Sequence, residues 1–129
     1  MTKVKEIYKC NICGNTVEVL VSGQGTLVCC GQDMELLKEK DSESNTDSDI
    51  SKKHTPIIEQ EPNKIIVRVG EIEHPMTKDH YIKWIEVNID GSIFVKKLNP
   101  EEKPIAEFKM SGNKISARAY CNIHGLWKS

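Results

Sequence analysis

Aromatic residues are scarce in this chain, at 5% of 129 residues, and neither sign of charge prevails. Lys and Arg number 18 against 19 Asp and Glu, so no basic face exists to neutralise phosphates. That balance argues against nucleic acid as a partner. No apolar run approaches the length of a membrane span, and the opening Met1-Thr-Lys-Val-Lys-Glu6 enters a strand-like segment without the apolar core of a secretory leader. These absences point to a cytoplasmic protein with no membrane partner. No stretch shows a helical period of apolar residues and no repeat recurs, which disfavours bundles and solenoids. Cysteine and histidine are also few, five and four, but their placement is uneven.

Four of the cysteines form one group, Cys10-x2-Cys13 with the adjacent pair Cys29-Cys30. His54, His74 and His80 follow after the polar stretch, and Cys121-Asn-Ile-His124 comes close to the end. Two sites use every Cys and His, one all-sulfur and one rich in nitrogen with a single sulfur. A reducing compartment keeps thiols free, so clustered cysteines read as metal ligands before disulfides. A protein that separates two such centres is most simply a redox protein.

The chain is organised around that partition. Residues 1–40 contain strand-like runs, Glu6–Lys9 and Thr16–Val21, separated by turn signals at Gly14-Asn15 and Ser22–Gly25. A piece of about 40 residues cannot bury enough apolar surface to hold itself and needs a metal, disulfides or a partner subunit. Residues 41–53 are Ser, Asp and Lys with little else, and read as a solvated linker. From 54 to 129, strand signals recur at close spacing, with Asp90-Gly91 as a hairpin turn and a period of two in Ile85-Glu-Val-Asn-Ile89. The fold class is therefore all-β, a small metal-bound β domain followed by an antiparallel β-sandwich.

Tetrahedral sulfur ligation by Cys10, Cys13, Cys29 and Cys30 suits zinc or iron. A structural zinc knob stays open as the plain alternative. Adjacent cysteines cannot repeat the Cys-x2-Cys knuckle, so the second half of the site is expected to be distorted, with fewer amide hydrogen bonds. The nitrogen-rich set of His54, His74, His80, Cys121 and His124 exceeds the four tight ligands that zinc favours and suits iron with an open position. Blue copper takes two histidines and one cysteine, which leaves two histidines without a role. Tyr81, Trp84 and Trp127 adjoin ligands in sequence but read as core, and Met76 as packing.

The segments Glu6-Ile-Tyr-Lys-Cys10-x2-Cys13-Gly14-Asn15, Leu27-Val-Cys29-Cys30-Gly31, His74-Pro-Met-x3-His80-Tyr81-Ile-x-Trp84-Ile-Glu86 and Cys121-Asn-x-His124-Gly-Leu-Trp127 resemble the desulfoferrodoxins, two-iron superoxide reductases. The resemblance spans nearly the whole chain outside the linker. It implies a desulforedoxin-like first domain with iron on Cys10, Cys13, Cys29 and Cys30. It implies a neelaredoxin-like, immunoglobulin-like second domain with iron on His54, His74, His80 and His124 in a plane and Cys121 on the axis. The implied activity is one-electron reduction of superoxide to peroxide, with a small donor such as rubredoxin restoring the ferrous state. A homodimer is also expected. Four neutral imidazoles and one thiolate leave a single positive charge on ferrous iron, a fitting partner for a small anion. An electron carrier with two closed iron centres and no catalytic role is the alternative.

One departure from the family pattern stands before the first histidine. The family has Glu-Lys-His, and this chain has Lys52-Lys53-His54. Lys53 matches the lysine to which the resemblance assigns attraction and protonation of superoxide. Lys52 replaces the glutamate that caps ferric iron, and Asp47 or Asp49 would take its place only if the linker folds back.

Overall fold

In the computed structural model, which describes residues 1–42 and 48–129, sustained alternation of apolar and polar residues produces strands. The chain divides into two units, Met1–Lys38 and Glu39–Ser129.

In the first unit, β1 (Ile7–Lys9), β2 (Thr16–Glu18), β3 (Val28–Cys29), β4 (Gln32–Asp33) and β5 (Glu35–Leu36) form two small sheets, ordered β2-β1-β5 and β3-β4. Its buried apolar side chains are Ile7, Cys10 and Val19. So small a core leaves a large share of the cohesion to a ligand at the cysteines. Each cysteine pair sits in a turn. Gly31 follows Cys29-Cys30 at φ +78°, a conformation that a side chain resists, and Cys30 itself is held at φ +54°.

The second unit comprises β6 (Glu39–Lys40), α1 (Ser48–His54), β7 (Pro56–Glu61), β8 (Lys64–Val69), β9 (Ile82–Ile89), β10 (Ser92–Lys97), β11 (Ile105–Phe108), β12 (Ile115–Cys121) and β13 (Gly125–Lys128). Two sheets, ordered β10-β9-β12-β13-β6 and β11-β8-β7, make a sandwich. All its strand pairs are antiparallel except β13 with β6. Alternate residues fill the space between the sheets: Ile65, Val67 and Val69 from β8, Val87 from β9, Ala117 and Ala119 from β12. Cys121 closes that series and is fully buried, so the sandwich core itself carries the sulfur of the second site.

The helix α1 is not signalled by any apolar period, and it occupies the end of the stretch expected as a polar linker, residues 41–53. Residues 43–47 of that stretch, Asp47 among them, lie outside the described residues. Ser51 and His54, three apart and therefore on one face, are its buried residues. The close approach of its end to β8 depends on Gly70, where a Cβ would lie 2.5 Å from the Lys52 carbonyl oxygen. Ile72 donates its amide to the same oxygen at 3.1 Å. Glu39 and Lys40, expected in the first domain, pair with Leu126 and Trp127 in the second.

Candidate metal centres

The four sulfurs of Cys10, Cys13, Cys29 and Cys30 lie within 4.8 Å of one another. Cys13 and Cys29 are 3.5 Å apart, and Cys29 and Cys30 3.9 Å. The Cys10 sulfur accepts the amides of Ile12 at 3.4 Å and Cys13 at 3.5 Å, which draw its thiol down to about 6. The adjacent pair behaves in the opposite way. Hydrogen bonding among the sulfurs, Cys13 foremost, pushes Cys30 up to about 12 and raises Cys29 as well. Asn15 adds a longer contact from its Nδ2 to Cys29, 3.7 Å. The asymmetry matches the expectation of a knuckle at one pair alone. Without a cation the four sulfurs cannot all be thiolates, and a tetrahedral metal removes that conflict.

The second group assembles from four separate elements. His54 ends α1, His74 and His80 flank the loop before β9, Cys121 ends β12, and His124 lies in the turn before β13. Ligand atoms of His54, His80, Cys121 and His124 lie within 4.8 Å of one another. His74 joins them through its neighbours, with Nε2 3.0 Å from Nε2 of His54 and its ring centroid 4.7 Å from that of His80.

Backbone carbonyls select the tautomers. His54 donates Nδ1–H to the Ile50 carbonyl at 2.7 Å, and His74 donates Nδ1–H to the Pro75 carbonyl at 2.6 Å. A carbonyl accepts only, so in the neutral rings both Nε2 atoms carry bare lone pairs. Burial holds both imidazoles near 4, well below the ordinary 6.5, and lowers His80 too. The His80 Nε2 is buried with no hydrogen-bond partner. His124 turns Nδ1 toward the Cys121 sulfur, 3.7 Å away. Burial raises the Cys121 thiol, while the amides of His124 and Ile123 work to stabilise its thiolate. The bare Nε2 atoms of His54 and His74 therefore adjoin each other, and His54 gathers with His80, Cys121 and His124. Two nitrogens each about 2.1 Å from an ion at a right angle lie about 3 Å apart, the spacing seen for His54 and His74. The donor set fits an ion with more than four ligands.

Asn122 and Lys40 belong to this site although their sequence contexts did not single them out. Asn122 accepts the Tyr81 amide at 3.0 Å and donates to the Asp79 carbonyl at 2.9 Å, pinning both neighbours of His80 to the residue after Cys121. Its place between two ligands was the available signal. Lys40 reaches the His124 carbonyl across 84 positions, which no local pattern could reveal. Trp127 is core, as expected, and also stacks on His54 at 5.0 Å. Met76 packs against the sandwich core.

The two lysines before His54 part company. Lys53 borders a cleft of about 640 Å³ together with Glu73, His74, Pro75 and Lys103. Lys52 borders a different hollow, with Ser51, Thr55, Ile57 and Glu71. Asp49 is exposed in the first turn of α1.

The description "Desulfoferrodoxin" matches residues 46–129, and "Desulfoferrodoxin, N-terminal domain" matches residues 2–37. A desulfoferrodoxin homolog from Archaeoglobus fulgidus is 51% identical over 129 residues, covering 100% of this chain and 99% of that one. A superoxide reductase from Pyrococcus abyssi is 40% identical over 97 residues, 60% of this chain and 84% of its own. In fold, the chain is similar to the crystal structure of the superoxide reductase from Treponema pallidum, with a TM-score of 0.79, 21% identity and 96% of each chain covered.

Proposed function

The chain belongs to the desulfoferrodoxin family, and we propose that it is a superoxide reductase that converts superoxide to hydrogen peroxide at the histidine-rich centre. The observation that carries this reading is the gathering of donor atoms of His54, His80, Cys121 and His124 within 4.8 Å of one another, with the bare Nε2 of His74 3.0 Å from that of His54. His54, His74, His80 and His124 would hold one iron with Cys121, and Cys10, Cys13, Cys29 and Cys30 another. Iron bound by the histidines would supply the one electron that, with two protons, converts superoxide to peroxide.

The remaining chemistry belongs to the chain's own groups. Lys53 lines the cleft that also reaches His74, where its ammonium draws in an anion and stands ready to give a proton. Cys121, held in the core and steadied by two amides, supplies a soft donor in a fixed direction. The carbonyls of Ile50 and Pro75 keep His54 and His74 turned with Nε2 inward.

Residues 1–40 form the sulfur domain in this reading, with 41–53 as the connection and 54–129 as the catalytic domain. The division into Met1–Lys38 and Glu39–Ser129 supports it, with the small difference that Glu39 and Lys40 join the second sheet. Each turnover consumes one electron, which a small cytoplasmic donor such as rubredoxin supplies. A homodimer accords with the exposed apolar side chains Val4, Ile12, Leu20, Val21 and Val28 of the first unit. No described helix is long and apolar enough to cross a membrane.

The test is stoichiometric. Purified protein is assayed for iron, and the reduced form is mixed with a pulse of superoxide. Two irons per chain and one peroxide per superoxide, with no dioxygen released, are expected. Zinc in the histidine site, or equal dioxygen and peroxide, would replace this reading with a structural or dismutating one.

A further inference from the structure

Lys40 lies far from every ligand in sequence, yet its Nζ donates to the carbonyl oxygen of His124 at 2.9 Å. That carbonyl also accepts the Trp127 indole N–H at 3.1 Å. Lys40 Nζ stands 5.8 Å from the centroid of the Trp127 ring, within cation–π range, and the same indole stacks on His54. One ammonium therefore touches the backbone of one candidate ligand and the ring that covers another.

The position is built. Parallel pairing of β6 with β13 sets Lys40 opposite Trp127, and Glu39 beside it lies 3.8 Å from Arg118. Arg118 in turn makes a 2.6 Å ion pair with Glu86, whose side chain is 3% exposed. A buried, anchored guanidinium thus fixes the strand that carries Lys40. Lys53 acts from the cleft, whereas Lys40 acts from the sheet edge at the His124 backbone.

We propose that Lys40 is a positioning residue of the histidine-rich centre, whose fixed positive charge at the His124 carbonyl favours the reduced, less positive state of the metal held there. A cation near a redox centre opposes the gain of positive charge on oxidation, so it raises the reduction potential. This rests on the reading of that group as an iron centre.

The experiment compares the full chain with Lys40→Arg, Lys40→Gln and Lys40→Met, each loaded with iron, by redox titration of the ferric absorption at low and high salt. Lys40→Gln keeps a hydrogen-bond donor without the charge, and Lys40→Met removes both. Lys40 is exposed, so all three variants are expected to keep the parent melting temperature. The expected result is a lower potential in Lys40→Gln and Lys40→Met, a parental potential in Lys40→Arg, and a difference that shrinks with added salt. A parental potential in Lys40→Met overturns the proposal. So does a parental potential in Lys40→Gln, which would make the residue a tether for the His124 turn. Absence of any ferric histidine/thiolate absorption in the parent itself would instead remove the iron reading, leaving Lys40 with no centre to tune.

Discussion

The Nε2 atoms of His54 and His74 stand 3.0 Å apart with their hydrogens committed elsewhere, at the carbonyls of Ile50 and Pro75. Two lone pairs that face each other repel unless they share a cation, so the metal stabilises the fold that presents them.

Chelation should therefore lower the melting temperature of the second unit, and the loss should depend on pH. In the metal-free protein both imidazoles titrate near 4, below their ordinary 6.5. Between those values the unfolded chain binds protons that the folded chain refuses. The stabilising contribution is whole above 6.5 and lost as pH falls toward 4. Melting curves of chelated protein at pH 7.5, 6 and 5 should show a progressive decline. A flat profile would mean that these rings are not buried neutral in the folded state.

The proposed part of Cys121 as the sulfur donor of the second centre has its own test. Cys121→Ser keeps the small buried volume at the end of β12, so the sandwich should form, with a cost of about 1–2 kcal/mol for a buried hydroxyl. The thiolate-to-iron absorption and most of the superoxide-reducing rate should vanish, because serine is a harder, weaker donor. Activity near the parent's would assign the sulfur elsewhere.

Much of this was legible in the sequence. Period-two runs such as Lys64–Val69 became strands with one buried face, and the Asp90-Gly91 turn joined β9 to β10. Eight of the nine ligand candidates lie in two groups, and His74 adjoins the second through His54. What escaped depends on distant pairing. The helix Ser48–His54 has no apolar stripe, since its burial serves Ser51 and His54 rather than a hydrophobic face. Strand β6 is two residues long and exists because β13 offers it a partner. Lys40 could be placed at His124 only by that pairing.

Separation of the two centres predicts that damage to one spares the other. Cys13→Ser removes a sulfur that lies 3.5 Å from Cys29, and it should abolish or shift the four-thiolate spectrum. Because the candidate ligands of the second centre all lie within Glu39–Ser129, the rate at which its reduced form consumes superoxide should change less than twofold, on the order of experimental scatter. Pulse radiolysis of the variant checks this. A large fall in that rate would show that the units depend on each other for folding or for electrons.

Lys52 bears on the ferric state. A lysine there supplies no carboxylate, so the oxidised centre should take up cyanide or azide readily. Lys52→Glu should alter the ferric spectrum and weaken anion binding, while the first reaction of the reduced form changes little. Glu71 lines the same hollow and would repel the new carboxylate from its present site. Anion titrations of both proteins decide the matter. Indifference to Lys52→Glu, joined with altered binding in Asp49→Ala, would place the cap on Asp49.

Lys53 and Lys52 are adjacent in sequence but open onto different hollows, and that difference predicts unequal roles. Lys53 shares its cleft with His74, whereas Lys52 lines another hollow with Glu71. Steering depends on charge where the anion arrives, so Lys53→Ala should slow the bimolecular reaction with superoxide by roughly tenfold at low ionic strength. Lys52→Ala should slow it much less, since Lys52 opens onto a different hollow from His74. Screening over about 10 Å at 0.1 M salt should shrink the Lys53 effect as salt is added. Lys53→Arg keeps the charge and should restore most of the encounter rate, yet its higher pKa makes it the poorer proton donor, so any later, proton-dependent step should stay slow. Stopped-flow or pulse-radiolysis rates across a salt series separate these outcomes. Equal losses from the two alanine variants, or losses indifferent to salt, would reduce both lysines to ordinary surface charge and leave the anion to find the cleft by diffusion alone.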